Sequence, residues 1–117
     1  MDKKAKIRAY KDTRPAMGVY QISNTANGRI LLGSNVNMPA VLNRFATELR
    51  FGSCRIKALQ DDWKQFGPDA FEFTELELLE PENDPAYDPT EDLRVLEELW
   101  TDKLQPYGDK GYNKPVK

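Results

Sequence analysis

The chain has 117 residues, of which 39% are apolar, which suits one small domain with one hydrophobic core, and no apolar run is long enough to span a bilayer. It contains no histidine, which excludes a His-based triad, a His general base and a zinc site with His ligands, and its single cysteine, Cys54, excludes an internal disulfide and suits a cytoplasmic protein. The net charge of −2 is unevenly spread, because residues 1–67 hold twelve Lys/Arg against five Asp/Glu, whereas residues 68–98 hold one Arg against twelve Asp/Glu.

The first sixteen residues are basic and weakly patterned, and we expect residues 1–16 to form an arm ahead of the folded domain. This arm could contact phosphate groups, or it could simply be solvated. The domain is expected to span residues 17–113, followed by a short tail at residues 114–117.

Two β-prone runs, at residues 17–23 and 29–34, flank a predicted hairpin turn. Asn27-Gly28 is a strong turn signal because both residues tolerate positive φ. Side chains alternate along a strand, so Gly18, Tyr20 and Ile22 should share one face of the sheet.

Two helices are predicted after the hairpin. The first opens near Pro39 and runs to about Phe51, with Gly52 as its C-terminal stop. The second spans roughly residues 55–66 and ends at Gly67. The short link between them indicates two packed helices.

A third strand is predicted at residues 71–78. Its alternation of apolar and polar residues slips at Thr74-Glu75, which indicates a bulge. An acidic, proline-rich loop follows at residues 80–88.

The last helix is predicted to begin with a capping box, with Asp88 at the cap and Glu91 at the third helical position, and to reach about Leu104. Its spacing places Glu97 in the middle of the inward apolar face. A buried carboxylate requires a partner, so Glu97 should face a cation, a metal or an open cleft. A structural ion pair with Arg29 or Arg44 would explain it equally well.

Five landmarks, spread over residues 17–113, resemble in order and spacing those of the GIY-YIG nuclease family. They are Gly18-Val19-Tyr20 at the first motif, Leu31-Leu32-Gly33 at the second, Gly52 with Leu59-Gln60 and Phe66-Gly67 around the second helix, Glu97 ahead of Trp100, and the closing Gly111-Tyr112-Asn113. The resemblance implies an α/β sandwich with a three-stranded antiparallel sheet flanked by helices. The order read from the elements themselves, β-β-α-α-β-α, agrees with it.

The resemblance also implies a chemistry, the hydrolysis of phosphodiester bonds in nucleic acid, with DNA as the expected substrate. Glu97 would hold Mg²⁺ or Mn²⁺ beside the scissile phosphate. Tyr20 would activate or position the attacking water, an arginine would offset charge in the transition state, and Asn113 would organise the site.

Three positions of the family pattern carry apolar residues here. The second-motif tyrosine is Leu31, which can neither accept a proton nor donate a hydrogen bond, and the arginine position, eight residues after Gly33, is Val41. A nearby position often occupied by histidine is Phe45. Together they predict a cleft whose polar lining has been partly replaced by apolar side chains.

Arg44 is the candidate replacement for the missing arginine. It lies three residues beyond Val41, on the same side of the helix, although it could instead be exposed and paired with Glu48. Such an arginine can be worth roughly a thousandfold or more in rate in phosphoryl transfer, so we predict an impaired activity unless Arg44 substitutes.

Three functions therefore follow from the sequence as hypotheses. The first is a metal-dependent endonuclease with Tyr20, Arg44, Asn113 and Glu97 in its site. The second is a catalytically degenerate domain that binds nucleic acid through a set of basic residues, Arg29, Arg44, Arg50, Arg55 and Lys57. The third is a protein-interaction module that uses the acidic segment 80–92.

Overall fold

The computed structural model describes residues 15–80 and 86–113, so the expected arm up to residue 14, the expected tail and residues 81–85 of the acidic loop lie outside the described residues. The elements are β1 (Gly18–Asn24), β2 (Ile30–Asn35), α1 (Met38–Phe51), α2 (Lys57–Phe66), β3 (Phe71–Leu78) and α3 (Thr90–Leu104), with 3₁₀ turns at Pro68–Ala70 and Gly108–Lys110. The strands form one antiparallel sheet in the order β2-β1-β3. This confirms the predicted fold class and element order.

The hairpin between β1 and β2 is confirmed, but its turn is wider than a two-residue turn. Gly28 has a positive φ of 80°, whereas Asn27 does not. The turn is closed by the backbone N–H of Gly28, which donates to the carbonyl of Asn24 at 2.8 Å. Asn24 and Asn27 also accept hydrogen bonds from backbone N–H groups two residues ahead, at 2.9 Å each. These hydrogen bonds to the asparagine side chains stabilise the turn although only one of its residues, Gly28, has a positive φ.

The two faces of the sheet are covered by different helices. Tyr20 and Ile22 pair with Gly33 and Leu31 across β1 and β2, and their side chains share the main hydrophobic core with the buried side of α1. Val19 and Leu32 neighbour these residues along their strands, so their side chains point to the opposite face. They are also buried there, because α3 packs on β1 and β2.

The ends of α1 and α2 follow local sequence signals. The Asn37 side chain caps α1 by accepting from the backbone N–H of Ala40 at 3.1 Å, and Gly52 ends it in the left-handed conformation. The second helix begins at Lys57, two residues later than predicted, because Ile56 is still extended.

A bulge occurs in β3, slightly later than the predicted slip at Thr74-Glu75. Val19 pairs with Glu77 and Tyr20 pairs with Glu75, so Leu76 is an extra residue in the strand. The shift turns Glu77 to the α3 side, where its carboxylate accepts a hydrogen bond from Trp100 Nε1 at 2.8 Å.

The start of α3 differs from the predicted capping box. Asp88 accepts from both the backbone N–H and the hydroxyl of Thr90, at 3.0 and 2.6 Å, while Glu91 pairs with Arg94 instead of closing the box. Within the two described ranges, no helix has the length and apolar character needed to cross a membrane.

Candidate active site at the edge of the sheet

The predicted metal ligand Glu97 lies against the edge strand β2. Its half-buried carboxylate accepts a hydrogen bond from Ser34 Oγ, with Oε1 at 2.6 Å. Arg29 and Arg44, its alternative partners, pair instead with Asp62 and Glu48. Among the described residues Glu97 therefore makes no ion pair, and the structural alternative weighed from the sequence is wrong.

The carboxylate opens onto a pocket between the end of β2 and one face of α3, which also brings Arg94, Glu98 and Asp102 to the pocket wall. The pocket has a volume of about 820 Å³, and its wall includes Ser34, Thr90, Glu97, Thr101 and Tyr107. A half-buried carboxylate that is fixed by one hydroxyl and faces open space can bind an external cation or donor.

Tyr20 reaches β2 from the other face of the sheet. Its ring packs on Phe45, with ring centroids 6.2 Å apart, and covers Gly33. A Cβ atom on Gly33 would lie 2.5 Å from Cζ of Tyr20, so glycine at this position is what admits the tyrosine. The Tyr20 hydroxyl makes no hydrogen bond within the described ranges, and no buried polar side-chain atom there lacks a partner. The hydroxyl therefore reaches solvent, although the residue as a whole is only 7% exposed.

Consecutive residues of β2 thus receive the two candidate catalytic side chains. Gly33 faces Tyr20 and Ser34 faces Glu97, so the tyrosine and the carboxylate approach the same edge strand from opposite sides. A ligand lying along that edge could contact both groups.

Asn113 organises this edge through the backbone of β2. Its side-chain oxygen accepts from the N–H of Leu32 at 2.9 Å, and its side-chain nitrogen donates to the carbonyl of Leu32 at 2.8 Å. On an edge strand, every second residue turns its backbone N–H and C=O away from the neighbouring strand. Leu32 is such a residue, so the backbone N–H of Ser34, two residues later, also points outwards and lies beyond the contact with Asn113. The Asn113 amide is occupied by these two bonds and holds the strand rather than facing the pocket.

The protonation state of Tyr20 limits what its hydroxyl can do. Burial raises the pKa of Tyr20 above its usual value near 10, and the negative charge of Glu97 raises it further, while the charges of Arg44 and Arg55 lower it. The phenol therefore stays protonated at neutral pH and can donate a hydrogen bond. The same balance indicates that Glu97, Arg44 and Arg55 all lie within electrostatic reach of the hydroxyl.

The two nearby arginines are engaged differently. Arg44 lies 4.0 Å from the carboxylate of Glu48 and 5.9 Å from the ring centre of Phe45. Arg55 is exposed and makes no ion pair within the described part of the chain. Its link is anchored by buried Gln60, whose side chain accepts from the N–H of Cys54 at 3.0 Å and donates to the carbonyl of Leu49 at 3.0 Å. Sequence reasoning assigned Arg55 to general nucleic-acid binding and did not predict that its charge would lower the pKa of Tyr20.

The other predicted nucleic-acid contacts lie in two parts of the molecule. Arg50 and Lys57 are exposed at the end of α1 and the start of α2. Arg29 lies farther away, at the hairpin, where it pairs with Asp62 at 3.6 Å. Asp62 also accepts a hydrogen bond from the Tyr112 hydroxyl at 2.7 Å, so Arg29 belongs to a structural network that fastens the hairpin to α2.

The three apolar substitutions of the family pattern are part of the core. Leu31, Val41 and Phe45 are buried in the same cluster as Tyr20. The space around the tyrosine ring is filled, as the sequence predicted, and the polar part of the site is confined to the β2 edge.

The donors available for a metal ion are few. Within residues 15–80 and 86–113 there is no group of three or more Cys, Asp or Glu side chains that could enclose a cation. A single carboxylate with an adjacent open pocket fits Mg²⁺, which keeps several waters and is commonly bound through one or two carboxylates and substrate phosphates.

Comparison with solved structures identifies the fold. The catalytic domain of the homing endonuclease I-TevI has 26% sequence identity and a TM-score of 0.69, over 86% of this chain and 99% of that one. A mutant of the catalytic domain of this intron endonuclease, with one glutamate replaced by alanine, has 24% identity and a TM-score of 0.62, over 77% of this chain and 84% of that one. The I-TevI catalytic domain is a GIY-YIG nuclease, so this chain has a GIY-YIG-like fold, as its motifs predicted. No protein-family model and no curated protein matches the chain.

Proposed function

We propose that this chain is a metal-dependent nuclease of low turnover that hydrolyses phosphodiester bonds at the β2 edge. The observation that carries the proposal is Glu97, a half-buried carboxylate without an ion pair in the described residues, fixed by Ser34 and open to a large pocket. The fold shared with the catalytic domain of a homing endonuclease supports the same reaction class.

Glu97 is the residue that would hold the cation. Mg²⁺ or Mn²⁺ bound there would supply Lewis-acid stabilisation of the charge that develops on the phosphate and the leaving oxygen. Ser34 contributes by fixing one carboxylate oxygen at 2.6 Å, which leaves the other oxygen for the ligand. A hydrogen bond of this kind to a metal-binding carboxylate restricts the carboxylate to one orientation.

The remaining groups of the site bind and orient the substrate. The protonated hydroxyl of Tyr20 donates a hydrogen bond to the attacking water or to a phosphate oxygen, and the outward N–H of Ser34 offers a second donor. Arg44 and Arg55 supply positive charge on the Tyr20 side. Donors aimed at developing charge contribute about 2.7–4 kcal/mol each in well-studied enzymes.

The low turnover follows from what surrounds Tyr20. Leu31 and Val41 stand where the family pattern has a tyrosine and an arginine, and both are buried in the core. Neither can donate to a phosphate, so the site works with fewer polar groups than the family pattern provides.

The test is cleavage of single-stranded, duplex and branched DNA with Mg²⁺ or Mn²⁺, comparing the unmodified protein with Glu97→Ala. Glu98→Ala is the matched control, because Glu98 neighbours Glu97 and borders the same pocket but pairs with Arg94 on the helix surface. We expect nicking that depends on the cation, is lost in Glu97→Ala and persists in Glu98→Ala. Intact substrates with both cations, or equal activity in Glu97→Ala, would exclude the proposal.

A second candidate function is nucleic-acid binding without cleavage, favoured by the burial of Leu31, Val41 and Phe45 around Tyr20. It predicts binding that weakens steeply with salt, since the contacts would be made by Arg50, Arg55 and other cations to phosphates. Affinity that is equal at low and moderate salt would contradict it. Cleavage that is abolished by Glu97→Ala would support the nuclease and exclude binding without cleavage.

A further inference from the structure

One aromatic side chain, that of Phe51, lies mostly in solvent. Phe51, the last residue of α1, is 81% exposed, although the core side chains Phe45 and Leu49 of the same helix are almost fully buried. Gly52 ends the helix immediately after it in the left-handed conformation, with φ of 77°. The helix end therefore holds the aromatic ring in water, where it buries little apolar surface.

Cations lie on both sides of Phe51 in the chain, and Glu48, the carboxylate three residues earlier on α1, is paired with Arg44. Arg50 precedes it in the chain and is exposed, and Arg55 lies within the link to α2 and is exposed as well. Lys64 of α2 lies over the link, with its Cε 3.9 Å from the position that a Cβ on Gly52 would occupy. In the described part of the protein none of these three cations makes an ion pair.

Other exposed apolar side chains lie in a different environment. Leu99, 62% exposed on α3, follows Glu97 and Glu98 and lies three residues before Asp102, with Lys103 as the one cation within four residues after it. Leu78 follows Glu77 at the end of β3 and is also exposed. These acidic surroundings would repel a nucleic acid, whereas those of Phe51 would attract one.

We infer that Phe51 is a stacking platform for an unpaired base, with Arg50, Arg55 and Lys64 holding the adjoining phosphates. Every base has a flat face that an aromatic ring can stack on, and a cationic track beside the ring binds the backbone. This inference deepens the proposed function and rests on it, because it assigns the substrate class: nucleic acid with unpaired bases, such as a single strand, a frayed end or a branch.

The platform lies on the same helix as the side chain that packs on Tyr20. Phe51 is six residues after Phe45, which packs on Tyr20, so the two phenylalanines are separated by about 9 Å along the helix. A strand that follows α1 from this contact would bring a base to Phe51 within the same bound segment.

The experiment measures binding of a short labelled single-stranded DNA by fluorescence anisotropy, with EDTA present so that no cleavage occurs. Phe51→Ala should weaken binding by roughly 5- to 150-fold, the range for loss of one base–aromatic stack. Phe51→Trp should restore it, because the larger ring still stacks. Leu99→Ala, the matched removal of an exposed apolar side chain, should leave affinity unchanged. Phe51 is exposed, so its replacement should not affect folding.

A second oligonucleotide separates stacking from a general surface effect. With abasic sites in place of the bases, Phe51→Ala and the unmodified protein should bind equally. Equal losses on the normal and abasic strands, or no loss in Phe51→Ala, would overturn the inference, as would the absence of any single-strand binding. Cleavage is a separate measurement. Nicking of duplex DNA without any effect of Phe51→Ala on binding would overturn the stacking inference and leave the proposed function standing. Binding that depends on Phe51 without any cleavage would do the reverse.

Discussion

Replacing Gly33 by alanine tests the most specific contact of the candidate site, the cover that the Tyr20 ring forms over β2. The added Cβ would lie 2.5 Å from Cζ and 2.9 Å from Cε2 of Tyr20, and closer still to the hydroxyl oxygen. Real Cβ contacts of this kind are longer, so the tyrosine must move. The φ of Gly33 lies outside the positive range, so backbone strain does not complicate the substitution.

The cost follows from how tightly the ring is held. Tyr20 is 7% exposed and packs against Phe45 in the main core, so it cannot swing away without opening that contact. Forcing one extra methyl group into such packing costs typically about 1–3 kcal/mol. We expect Gly33→Ala to lower the free energy of unfolding by this amount and to move the Tyr20 hydroxyl away from the β2 edge. Nuclease activity should fall with it.

The assay is urea unfolding of four proteins, the unmodified chain, Gly33→Ala, Tyr20→Leu and the double variant. Leucine lacks the Cε, Cζ and hydroxyl atoms that meet the new methyl group, so in the Tyr20→Leu background Gly33→Ala should be close to neutral. The cycle should give a coupling of about 1–3 kcal/mol. A coupling energy near zero would refute the placement of Tyr20 over Gly33. So would a Gly33→Ala variant with the same free energy of unfolding as the unmodified protein.

Three further predictions concern the cations, the closing motif and pH. Arg55→Gln should reduce the single-turnover cleavage rate by up to about fivefold more than Arg44→Gln, since Glu48 competes for Arg44 in an exposed ion pair; equal losses would contradict this. Asn113→Asp keeps an acceptor for the N–H of β2 but cannot donate to its carbonyl, and should cost about 1–3 kcal/mol in urea unfolding. Burial and the bond to a carboxylate raise the pKa of Tyr112 to about 12, so its contribution to stability is complete below about pH 10 and is lost as the pH rises to 12. The stability difference between the unmodified protein and Tyr112→Phe should therefore shrink across that interval, and a constant difference would contradict it.

The elements of the fold were predictable because their signals are local. Asn37 and Gly52 define the two ends of α1 by capping and by left-handed geometry, and Gly28 defines the hairpin by its positive φ. The bulge in β3 was detected only approximately, since a slip in alternation shows that a residue is extra but not which one. The start of α3 was misjudged because Glu91 had two possible partners, and Arg94 prevailed over the capping box.

The candidate site was less predictable, because its contacts join residues that are distant in the chain. Periodicity identified Glu97 as inward, but its partner Ser34 lies 63 residues earlier, and no local pattern names it. Both bonds from Asn113 to β2 span 81 residues. The link that contains Arg55 is held by Gln60, a buried polar side chain whose role is evident only when α1 and α2 are packed together.

The distribution of charge predicts the side from which a polyanion approaches the site, which neither the motifs nor the fold alone predicts. Carboxylates occupy β3 and α3, while Arg50, Arg55 and Lys64 occupy the side formed by α1 and α2. A polyanion is therefore repelled from one flank and attracted to the other, so it should approach the β2 edge from the Tyr20 side. Glu97, the pocket carboxylate that Ser34 fixes at this edge, would then hold the cation, and a bound cation would reverse the local charge there. The acidic half of the chain is thus compatible with a nucleic-acid substrate, because it restricts the substrate to one path.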